Sequence, residues 1–373
     1  MSKDDSSKEA ITALLHSADV QINGSRPWDI KVNNENLYKR VLVKSSLGLG
    51  EAYMDGWWDS PALDQFFDRI LRADLDQKVK GDWRILLAGA RAHFSNLQST
   101  RRAFQVGEQH YDAGNDLFKG MLDKRMVYSC GYWKNAKTLD EAQEQKLELI
   151  CQKLKLKRGM KLLDIGCGWG SLIEYAAERY GVECVGVTVS REQAKLARAR
   201  VRGLPVKIIV EDYRKIIGKY DRVASVGMFE HVGHKNYREF MSIVNQCLRP
   251  GGLFLLHTIA ENATDTRIEP WVDKYIFPNG MLPSITQIGK ASEDIFVMED
   301  WQNFGPDYDK TLMAWSNNFK NSWPEIKTKY DERFYRMWEY YLLSFAGAFR
   351  SRGIQLWQIV FSKDVDVRYD SPR

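Results

Sequence analysis

The sequence of 373 residues lacks several features that would assign it to a specialised class of protein. Its five cysteines lie far apart and form no C-x-x-C pair, and this odd, dispersed set favours a reduced cytosolic protein over one stabilised by disulfides. No apolar run approaches the roughly 18 residues that a membrane span needs, and the polar start, Met1 to Ala10, predicts no secretory signal. Internal repeats and low-complexity tracts are also missing. Any relation to a membrane is therefore expected to be peripheral.

Composition and charge are otherwise those of a globular protein with many aromatic residues. Hydrophobic residues make up 44% and charged residues 28% of the chain, which is ordinary. The net charge of +5 is mild, so it does not by itself imply a nucleic-acid partner. The 12 Trp and 17 Tyr indicate a large core and ligands that are apolar or cationic. The length predicts roughly two domains, which we divide into 1–100 and 101–373.

Strands and helices alternate in the second part of the chain. Segments that predict strands occupy 161–165, 183–188, 206–210, 221–226 and 252–258, with a terminal strand over 354–361. Helical segments lie between them, and this order is typical of an α/β fold with a doubly wound, mostly parallel sheet. A long aromatic insertion is expected over 266–320, followed by a helix over 330–350. The N-terminal part is expected to be smaller and mainly helical, with amphipathic helices over 63–71 and 78–97.

The most informative segment is a glycine-rich turn between the first of these strands and a helix over 171–179. It has the form D-x-G-x-G-x-G, with Asp164, Gly166, Gly168 and Gly170 at the fixed positions. Glycine accepts positive φ and lets the backbone approach a ligand closely, as a ligand over the carboxyl end of a parallel strand requires. The spacing differs from the dinucleotide pattern G-x-G-x-x-G and looks like motif I of methyltransferases that use S-adenosylmethionine. The alternative is a tight strand-to-helix turn that binds no ligand.

Polar residues at the ends of the next strands extend this candidate site. Thr188 and Gln193 follow the second strand, Asp212 follows the third, and residues 227–230 follow the fourth. The second position usually carries an acid that binds ribose hydroxyls, so Thr188 departs from the pattern of generic methyltransferases and of nicotinamide enzymes alike. Asp212 could accept a hydrogen bond from an adenine amino group, or it could be a solvated loop acid.

Seven segments together resemble the cyclopropane-fatty-acyl-phospholipid synthases, which group with the mycolic acid cyclopropane synthases among S-adenosylmethionine-dependent methyltransferases. The segments are 110–118 (HYDAGNDLF), 128–133 (YSCGYW), 163–170 (LDIGCGWG), 187–190 (VTVS), 227–233 (GMFEHVG), 256–259 (LHTI) and 274–280 (KYIFPNG). The resemblance spans essentially the whole chain and implies a class I methyltransferase fold with a seven-stranded sheet. In this family Thr188 is the expected residue. The N-terminal region of about 100 residues favours the bacterial phospholipid enzymes over the mycolic-acid relatives, which lack it.

The resemblance implies a reaction, two small-molecule ligands and a set of site residues. A methylene group from S-adenosylmethionine is added across a cis double bond of a phospholipid acyl chain, through a carbocation that a bound bicarbonate deprotonates. The implied bicarbonate ligands are Cys130, Glu230, His257, the Ile259 backbone and Tyr308. The implied S-adenosylmethionine contacts are Tyr128, Ser129, Asp164, Gly166, Gly168, Gly170, Thr188, Gln193 and Asp212. No metal site is implied.

The chemistry of the side chains supports these roles but also allows structural alternatives. Hydroxyl, ring N–H and backbone N–H donors can fix a small anion, Glu230 can accept its remaining proton and raise its basicity, and the face of Tyr308 can stabilise a cation. A buried Cys130 can equally be a small hydrophobe, and His257 a hydrogen-bonded structural residue. The chain departs from some family members at Phe345, which replaces a cysteine before residues 346–349. Any essential role of that thiol therefore cannot hold in this chain.

A basic, aromatic segment predicts contact with a membrane. Residues 72–104 contain seven basic and three acidic residues, a local balance of +4, together with Trp83 and Phe94. Such a surface suits a lipid-docking N-terminal domain of a cytoplasmic protein that binds anionic lipids peripherally on the inner face of the membrane. A helix that only packs on the catalytic domain would carry the same pattern. The family resemblance also suggests a homodimer.

Two other functions remain open on the sequence alone. A methyltransferase of small amines would share the fold and the cofactor; it would explain the glycine turn and the aromatic residues, but it would need neither the anion ligands nor the basic N-terminal region. A nucleic-acid-binding or RNA-modifying protein is disfavoured, because the net charge is low and the sequence contains no recognisable RNA-binding motif.

Overall fold

The computed structural model describes residues 3–73, 114–364 and 368–373. The predicted helix over 78–97 and the predicted domain boundary at residue 100 lie outside these residues. The chain divides into two compact units, neither of them continuous in sequence. The first unit comprises Met1–Ser95, Arg267–Pro278 and Tyr308–Ile354, and the second comprises Asn96–Thr266, Asn279–Asp307 and Gln355–Arg373. The contiguous division into 1–100 and 101–373 does not anticipate the later segments of the first unit.

Helices outnumber strands in the described part of the chain. The helices are α1 Lys3–Ser17, α2 Asn36–Met54, α3 Leu63–Arg72, α4 Asn115–Met121, α5 Leu139–Lys153, α6 Ser171–Tyr180, α7 Arg191–Arg200, α8 Tyr237–Cys247, α9 Pro270–Tyr275, α10 Ile285–Ser292, α11 Gly305–Ile326 and α12 Glu332–Arg350. The strands are β1 Lys31–Val32, β2 Trp58–Asp59, β3 Lys161–Ile165, β4 Glu183–Thr188, β5 Val206–Val210, β6 Tyr220–Val226, β7 Leu248–Glu261, β8 Val297–Asn303 and β9 Ile354–Ser362.

Strands β3 to β9 form a seven-stranded sheet in the order β5-β4-β3-β6-β7-β9-β8. The pairs β5/β4, β4/β3, β3/β6 and β6/β7 are parallel, whereas β9 and β8 are antiparallel. From β3 the chain builds outward to β5 and then returns to β6 on the other side of β3, so the strand order reverses between β3 and β6. Ligands of doubly wound sheets bind at the carboxyl ends of the strands beside such a reversal. The predicted α/β fold with a doubly wound, mostly parallel sheet is confirmed.

Apolar side chains cover both faces of this sheet. Leu162 on β3 belongs to one core cluster, together with Ile173 on α6, whereas Leu163 belongs to a second cluster with Phe240 on α8 and Phe254 on β7. Successive residues of a strand point to opposite faces, which explains why β3 is apolar almost throughout. These two packed layers fix the points at which the parallel strands end.

The seven-stranded sheet contains one strand that the sequence does not predict. All strands predicted between residues 161 and 361 are present, but β8 falls inside the expected aromatic insertion and pairs with β9 at the edge of the sheet. Of its seven residues only Asp300 is buried. An edge strand of this kind is held chiefly by backbone hydrogen bonds, so it lacks the alternation of buried apolar residues that signals a strand.

The described part of the first unit is mainly helical and packs through aromatic side chains. The ring of Tyr53 on α2 lies 5.1 Å from that of Trp58 and 5.5 Å from that of Tyr340 on α12. Phe67 on α3 also contacts Tyr340, at 5.1 Å. Gly347 lets α12 approach α3 closely, because a Cβ at this position would lie 2.6 Å from the Cβ of Phe67. The N-terminal helices thus share a core with α12, and no described helix is both long and apolar enough to cross a bilayer.

Candidate active site

The glycine-rich turn leaves the carboxyl end of β3 with all three of its glycines at positive φ. Gly166, Gly168 and Gly170 have φ of +89°, +53° and +84°, a region that side-chain-bearing residues rarely adopt. The N–H groups of Gly166 and Cys167 both donate to the carbonyl oxygen of Val187, at 2.9 and 3.0 Å. These bonds tie the turn to the end of β4, where the predicted cofactor contacts of the second strand begin.

The three glycines differ in what a side chain would meet. A Cβ on Gly166 would lie 2.7 Å from Met228, and one on Gly170 would lie 3.2 Å from Ala197. A Cβ on Gly168 would meet no atom within 4 Å. Gly166 and Gly170 are therefore required by packing as well as by φ. Gly168 is the glycine over which a ligand can lie, and this open space fits a cofactor at the turn.

Asp164, at the start of the glycine motif, is a buried acid with an unused oxygen. It is 2% exposed, and no described residue bonds to its Oδ1 atom. Burial raises its pKa to about 7, although the charge of Lys146 opposes that shift. A buried acceptor without a partner is rare in folded proteins, and here it lies beside the turn that would hold a cofactor.

The predicted contacts after β4 form a buried hydrogen-bonded set. The Thr188 hydroxyl donates to Gln193 Oε1 at 3.1 Å, and the Gln193 N–H donates to Ser190 Oγ at 3.2 Å. Ser190 is the N-cap of α7, so this network fixes the entry to that helix. Thr188 and Gln193 are 6% and 5% exposed, and their contact with a cofactor stays a prediction.

Asp212, after β5, is not the solvated loop acid that the sequence allows. It is 1% exposed, and both of its carboxylate oxygens accept hydrogen bonds from Arg214, at 3.2 and 3.0 Å. Its Oδ1 atom also accepts from the Arg214 backbone N–H at 2.9 Å. The buried carboxylate therefore has a structural partner, and its proposed bond to adenine stays a prediction.

The segment Tyr128–Ser129–Cys130 lies beside the carboxyl end of β6. A Cβ on Gly227 would lie 3.9 Å from Ser129 Cβ, so the two stretches are neighbours. The ring of Tyr128 lies 5.2 Å from that of Phe118, which in turn lies 5.0 Å from that of Trp169 in the glycine-rich turn. Aromatic packing thus links this segment to the predicted cofactor site.

Glu230 follows β6 and reaches across to β7. Its Oε1 atom accepts a hydrogen bond from the backbone N–H of Ile259 at 2.6 Å, and its backbone carbonyl accepts one from Met281 at 2.8 Å. Among the described residues nothing bonds to its Oε2 atom. Burial raises the pKa of Glu230 to about 7. The structure thus places Glu230 and Ile259 in direct contact, and their shared role as anion ligands stays a prediction.

His257 lies two residues before Ile259 on β7 and presents a free ring nitrogen. It is 1% exposed, and its Nδ1 atom lies 3.1 Å from the Gln358 amide nitrogen. With the Gln358 amide nitrogen as donor, Nδ1 accepts and the ring proton is assigned to Nε2, for which no described residue is an acceptor. Burial, together with the charges of Lys146 and Lys153, holds the pKa of His257 well below its ordinary value. The ring is therefore neutral, and its Nε2–H group has no acceptor among the described residues.

Cys130 and His257 both lie beside Phe304. Cys130 is fully buried, and its Sγ atom lies 3.1 Å from the Gly131 carbonyl oxygen and 4.0 Å from the Phe304 carbonyl oxygen. The His257 ring lies 6.3 Å from the Phe304 ring. Among its described residues, the second unit thus holds an acceptor on Glu230 and a ring nitrogen on His257 that have no partner, together with a buried thiol. These groups suit a small anion that carries a proton.

Tyr308 belongs to the first unit, unlike the other predicted anion ligands. Its ring packs against Trp315 at 5.9 Å and Phe349 at 4.5 Å. In the same unit, the hydroxyl of Tyr275 donates to Glu51 at 3.1 Å. The role of Tyr308 as an anion ligand stays a prediction.

Sequence reasoning misses three polar residues on the buried face of α5. Gln143, Lys146 and Lys153 are 0%, 1% and 0% exposed. Gln143 donates to the Ser129 carbonyl oxygen at 2.8 Å, and Lys146 donates to the Ser129 hydroxyl at 2.9 Å. Their spacing places them on the same helical stripe as Leu139 and Ile150. Polar residues on an otherwise apolar stripe are the signal that could have identified them.

Known proteins of one family match this chain over most of its length. Residues 98–359 match the protein family described as mycolic acid cyclopropane synthetase. The cyclopropane-fatty-acyl-phospholipid synthase of Escherichia coli is 55% identical over 363 residues, which cover 97% of this chain and 95% of that protein.

Solved structures support the same assignment of the fold. The cyclopropane synthase MmaA2 from Mycobacterium tuberculosis is 30% identical, with a TM-score of 0.66, over 70% of this chain and 98% of that one. The mycolic acid cyclopropane synthase CmaA1, solved with S-adenosylhomocysteine and CTAB, is 32% identical with the same TM-score and coverage. Coclaurine N-methyltransferase, at 22% identity and a TM-score of 0.69, covers 84% of this chain and shares its fold.

Proposed function

This chain belongs to the mycolic acid cyclopropane synthetase family, and we propose that it adds a methylene group across a cis double bond of phospholipid acyl chains. It is an S-adenosylmethionine-dependent methyltransferase of the cyclopropane-fatty-acyl-phospholipid synthase class. The observation that carries the finer proposal is a pair of buried atoms, Glu230 Oε2 and His257 Nε2, for which no described residue is a hydrogen-bond partner. A methyltransferase that only alkylates an amine does not need such an anion site.

The residues of the second unit fit the two small molecules that this reaction needs. When bound, S-adenosylmethionine supplies an electrophilic methyl group, and bicarbonate supplies a base for the proton that leaves this carbon when the ring closes. The open space over Gly168 and the free Oδ1 atom of Asp164 suit the first. Glu230, His257 and Cys130 would hold the second, whereas the Ile259 N–H, which already donates to Glu230 Oε1, would act through that carboxylate.

Each residue of the anion site has a role that follows from its chemistry. His257 Nε2–H is a donor to an anionic oxygen, and Glu230 Oε2 is an acceptor for a bicarbonate O–H. The Ile259 N–H fixes the Glu230 carboxylate at 2.6 Å, so the free oxygen is held in place before a ligand arrives. Burial of Cys130, Glu230 and His257 excludes water, which protects a developing carbocation from capture.

Analysis of the lipid product tests this function directly. Purified protein would be incubated with S-adenosylmethionine and vesicles of a phospholipid that carries a cis-unsaturated chain. We expect acyl chains to gain one CH2 unit and to lose their olefinic signals. Transfer of a methyl group to an amine headgroup, with the alkene intact, would instead support the small-amine alternative, for which the fold shared with coclaurine N-methyltransferase is the relevant observation.

The bicarbonate requirement is tested separately from the overall reaction. Protein dialysed into carefully degassed buffer should be slow and should respond to added sodium bicarbonate. Sodium chloride at equal ionic strength is the control. A lack of response would remove the proposed anion while leaving the lipid-modifying activity in place.

We also propose that the enzyme docks peripherally on anionic lipids at the cytoplasmic face of the membrane. The support is the local balance of +4 over residues 72–104, at about 1 kcal/mol per basic residue near such a surface before screening. Reversing Arg84 and Arg91 to Glu should weaken sedimentation with anionic vesicles and leave the melting temperature nearly unchanged. If the variant instead binds vesicles as the wild type does but has a much lower melting temperature, residues 72–104 have a structural role and do not dock on the membrane. A homodimer stays a prediction, which sedimentation analysis can check.

A further inference from the structure

Helix α5 buries two lysines on one face, and their surroundings differ. Lys146 is 1% and Lys153 is 0% exposed, although lysine is almost never fully buried unless it is paired. Removing an ammonium group from water is costly, and the cost is recovered only through an opposite charge or good hydrogen bonds. Each lysine therefore needs a physical explanation.

Lys153 has an explanation within the fold. Its Nζ atom lies 3.4 Å from Asp300 Oδ2, so a carboxylate neutralises it. Asp300 also accepts a hydrogen bond from Arg373 at 2.9 Å, and the Lys153 ammonium lies 5.4 Å over the ring of Phe304. In this structural group one carboxylate therefore serves two cations; burial and the charge of Arg373 lower the pKa of Lys153 to about 8, and the charge of Asp300 opposes that shift.

Lys146 has no such neutralising partner in the described part of the chain. Its hydrogen bond goes to the Ser129 hydroxyl at 2.9 Å, and no described carboxylate oxygen lies within 4.0 Å of its Nζ atom. The titratable groups that face it are Asp123, Asp164 and Cys130, with His257 and Lys153 in the same electrostatic environment. Burial lowers its pKa to about 8, against the attraction of the facing acids. Lys146 therefore still carries its charge at neutral pH.

We propose that Lys146 is a positioning residue that supplies the positive charge for the small anion held by Cys130, Glu230 and His257. The inference rests on the proposed function, because the anion is the bicarbonate of that reaction. It explains how a site that already contains Glu230 can accept a second negative charge. It also explains the Ser129 contact, since Lys146 fixes the residue directly before Cys130.

The proposal makes a prediction for anion binding that is independent of turnover. The complex with S-adenosylhomocysteine would be titrated with sodium bicarbonate, with thermal stabilisation as the readout and sodium chloride at equal ionic strength as the control. We expect Lys146→Met to raise the bicarbonate concentration for half-maximal stabilisation by about 10-fold or more. S-adenosylhomocysteine affinity, measured by calorimetry, should fall by a smaller factor, because Lys146 also bonds Ser129, a predicted cofactor contact. The same separation should appear in steady-state kinetics as a raised KM for bicarbonate.

Lys153→Met is the matched control, because it removes a lysine of equal burial from the same helix face. Arg373 continues to pair Asp300 in this variant, so bicarbonate binding should change by less than about 3-fold. Lys146→Arg keeps the charge and should restore much of the bicarbonate response. Above the pKa of about 8 of Lys146, the wild type should lose bicarbonate affinity while the arginine variant retains it. The wild type and Lys146→Arg both contain Glu230 and Asp164. The titration of these two acids therefore affects both proteins alike and does not contribute to the difference in bicarbonate affinity between them.

Two results would overturn the assignment. One is an unchanged bicarbonate response in Lys146→Met. The other is a loss of bicarbonate and S-adenosylhomocysteine binding together with a lowered melting temperature, which would make Lys146 a structural residue. If the wild type itself shows no bicarbonate response, the anion in the proposed function fails and the assignment falls with it. If the wild type responds and all variants respond equally, the assignment alone fails.

Discussion

Two buried glutamates, one in each unit, differ in the hydrogen bonds that their carboxylates accept. Glu51 on α2 is 4% exposed and Glu230 is 8% exposed, so both have lost most of their hydration. Burial alone would raise the pKa of Glu51, but hydrogen bonds from Lys274, Lys44 and Arg40 lower it to about 2. For Glu230 the same burial prevails and raises the pKa to about 7.

The contrast separates a structural charge from one that is available to a ligand. Both oxygens of Glu51 are bonded, Oε1 by Lys274 at 2.6 Å and Oε2 by Arg40 and Lys44 at 3.1 Å each. Glu230 accepts one bond from Ile259 and leaves its second oxygen unpartnered among the described residues. An unpaired buried acceptor costs stability, and such costs cluster at functional sites.

The largest effect on stability is expected from removing the charge of Glu51, the fully bonded glutamate of this pair. Glu51→Gln should lower the free energy of unfolding at pH 7 by roughly 3 kcal/mol, because the pKa falls from 4.5 to about 2 on folding. That contribution is present above pH 4.5 and is lost as the pH falls through about 2, so the difference from wild type should shrink on acidification. Chemical denaturation at several pH values measures it.

Glu35→Gln is the matched control for this variant. Glu35 pairs with Lys8 at 3.0 Å, but its side chain is 68% exposed, so its loss should cost less than about 1 kcal/mol. Equal effects of the two substitutions would show that the Glu51 cluster contributes no more than a surface ion pair.

The glycine-rich turn also contains positions that differ in this way: Gly166 and Gly170 contact neighbouring residues, whereas Gly168 faces open space. Gly168→Ala should fold, since its Cβ meets no atom within 4 Å, although its φ of +53° should cost about 1–2 kcal/mol of stability. The methyl group would occupy the space where the cofactor must approach, and we expect at least about 10-fold weaker S-adenosylmethionine binding by calorimetry.

Gly159→Ala controls for the backbone cost of this substitution. Gly159 also has positive φ, +83°, and open surroundings, but it precedes β3 at the opposite end of the strand from the turn. Its substitution should leave cofactor affinity unchanged. Equal affinity losses in both variants, or undiminished binding in Gly168→Ala, would contradict the assignment of Gly168 to the cofactor.

A smaller effect, on turnover, is expected from removing the hydrogen-bond partner of His257 while keeping the histidine itself. Gln358→Leu deletes the amide that lies 3.1 Å from Nδ1, so the ring proton is no longer confined to Nε2. Turnover should fall by about 10-fold, or about 1.4 kcal/mol, with cofactor affinity retained. Unchanged product formation, measured as cyclopropane chains per enzyme, would show that the tautomer of His257 does not matter.

The sheet and the glycine-rich turn could be predicted from the sequence because their signals are local. Strands β3 to β7 are apolar segments that end at glycine or polar residues, and the turn after Ile165 has a fixed spacing. The edge strand β8 could not be predicted, since its only buried residue is Asp300 and its pairing is made by the backbone. The grouping of Tyr308 with the N-terminal helices depends on contacts between distant segments, which no local pattern encodes.

The candidate site was predictable in part, from the resemblance and from the strand ends. Glu230, His257 and Ile259 lie where the carboxyl ends of β6 and β7 bring them together. Lys146 was not predictable in the same way, because its proposed role depends on which face of α5 is buried and on the lack of an ion pair within 4.0 Å among the described residues. The partners of Asp212 likewise emerge only from the fold, since Arg214 two residues later could as well have pointed to solvent.

The most direct test of the account combines the stability and the activity of Glu230→Gln. The pKa of Glu230 is higher in the folded protein than the ordinary 4.5, so the carboxylate costs stability as pH rises from 4.5 through about 7. The variant should therefore match the wild type at pH 4.5, exceed its stability by up to roughly 3 kcal/mol at pH 8, and form cyclopropane lipid about 100-fold more slowly. A variant that is less stable than the wild type at pH 8, or that keeps full activity, would contradict the claim that Glu230 is an unpartnered acid kept for the reaction.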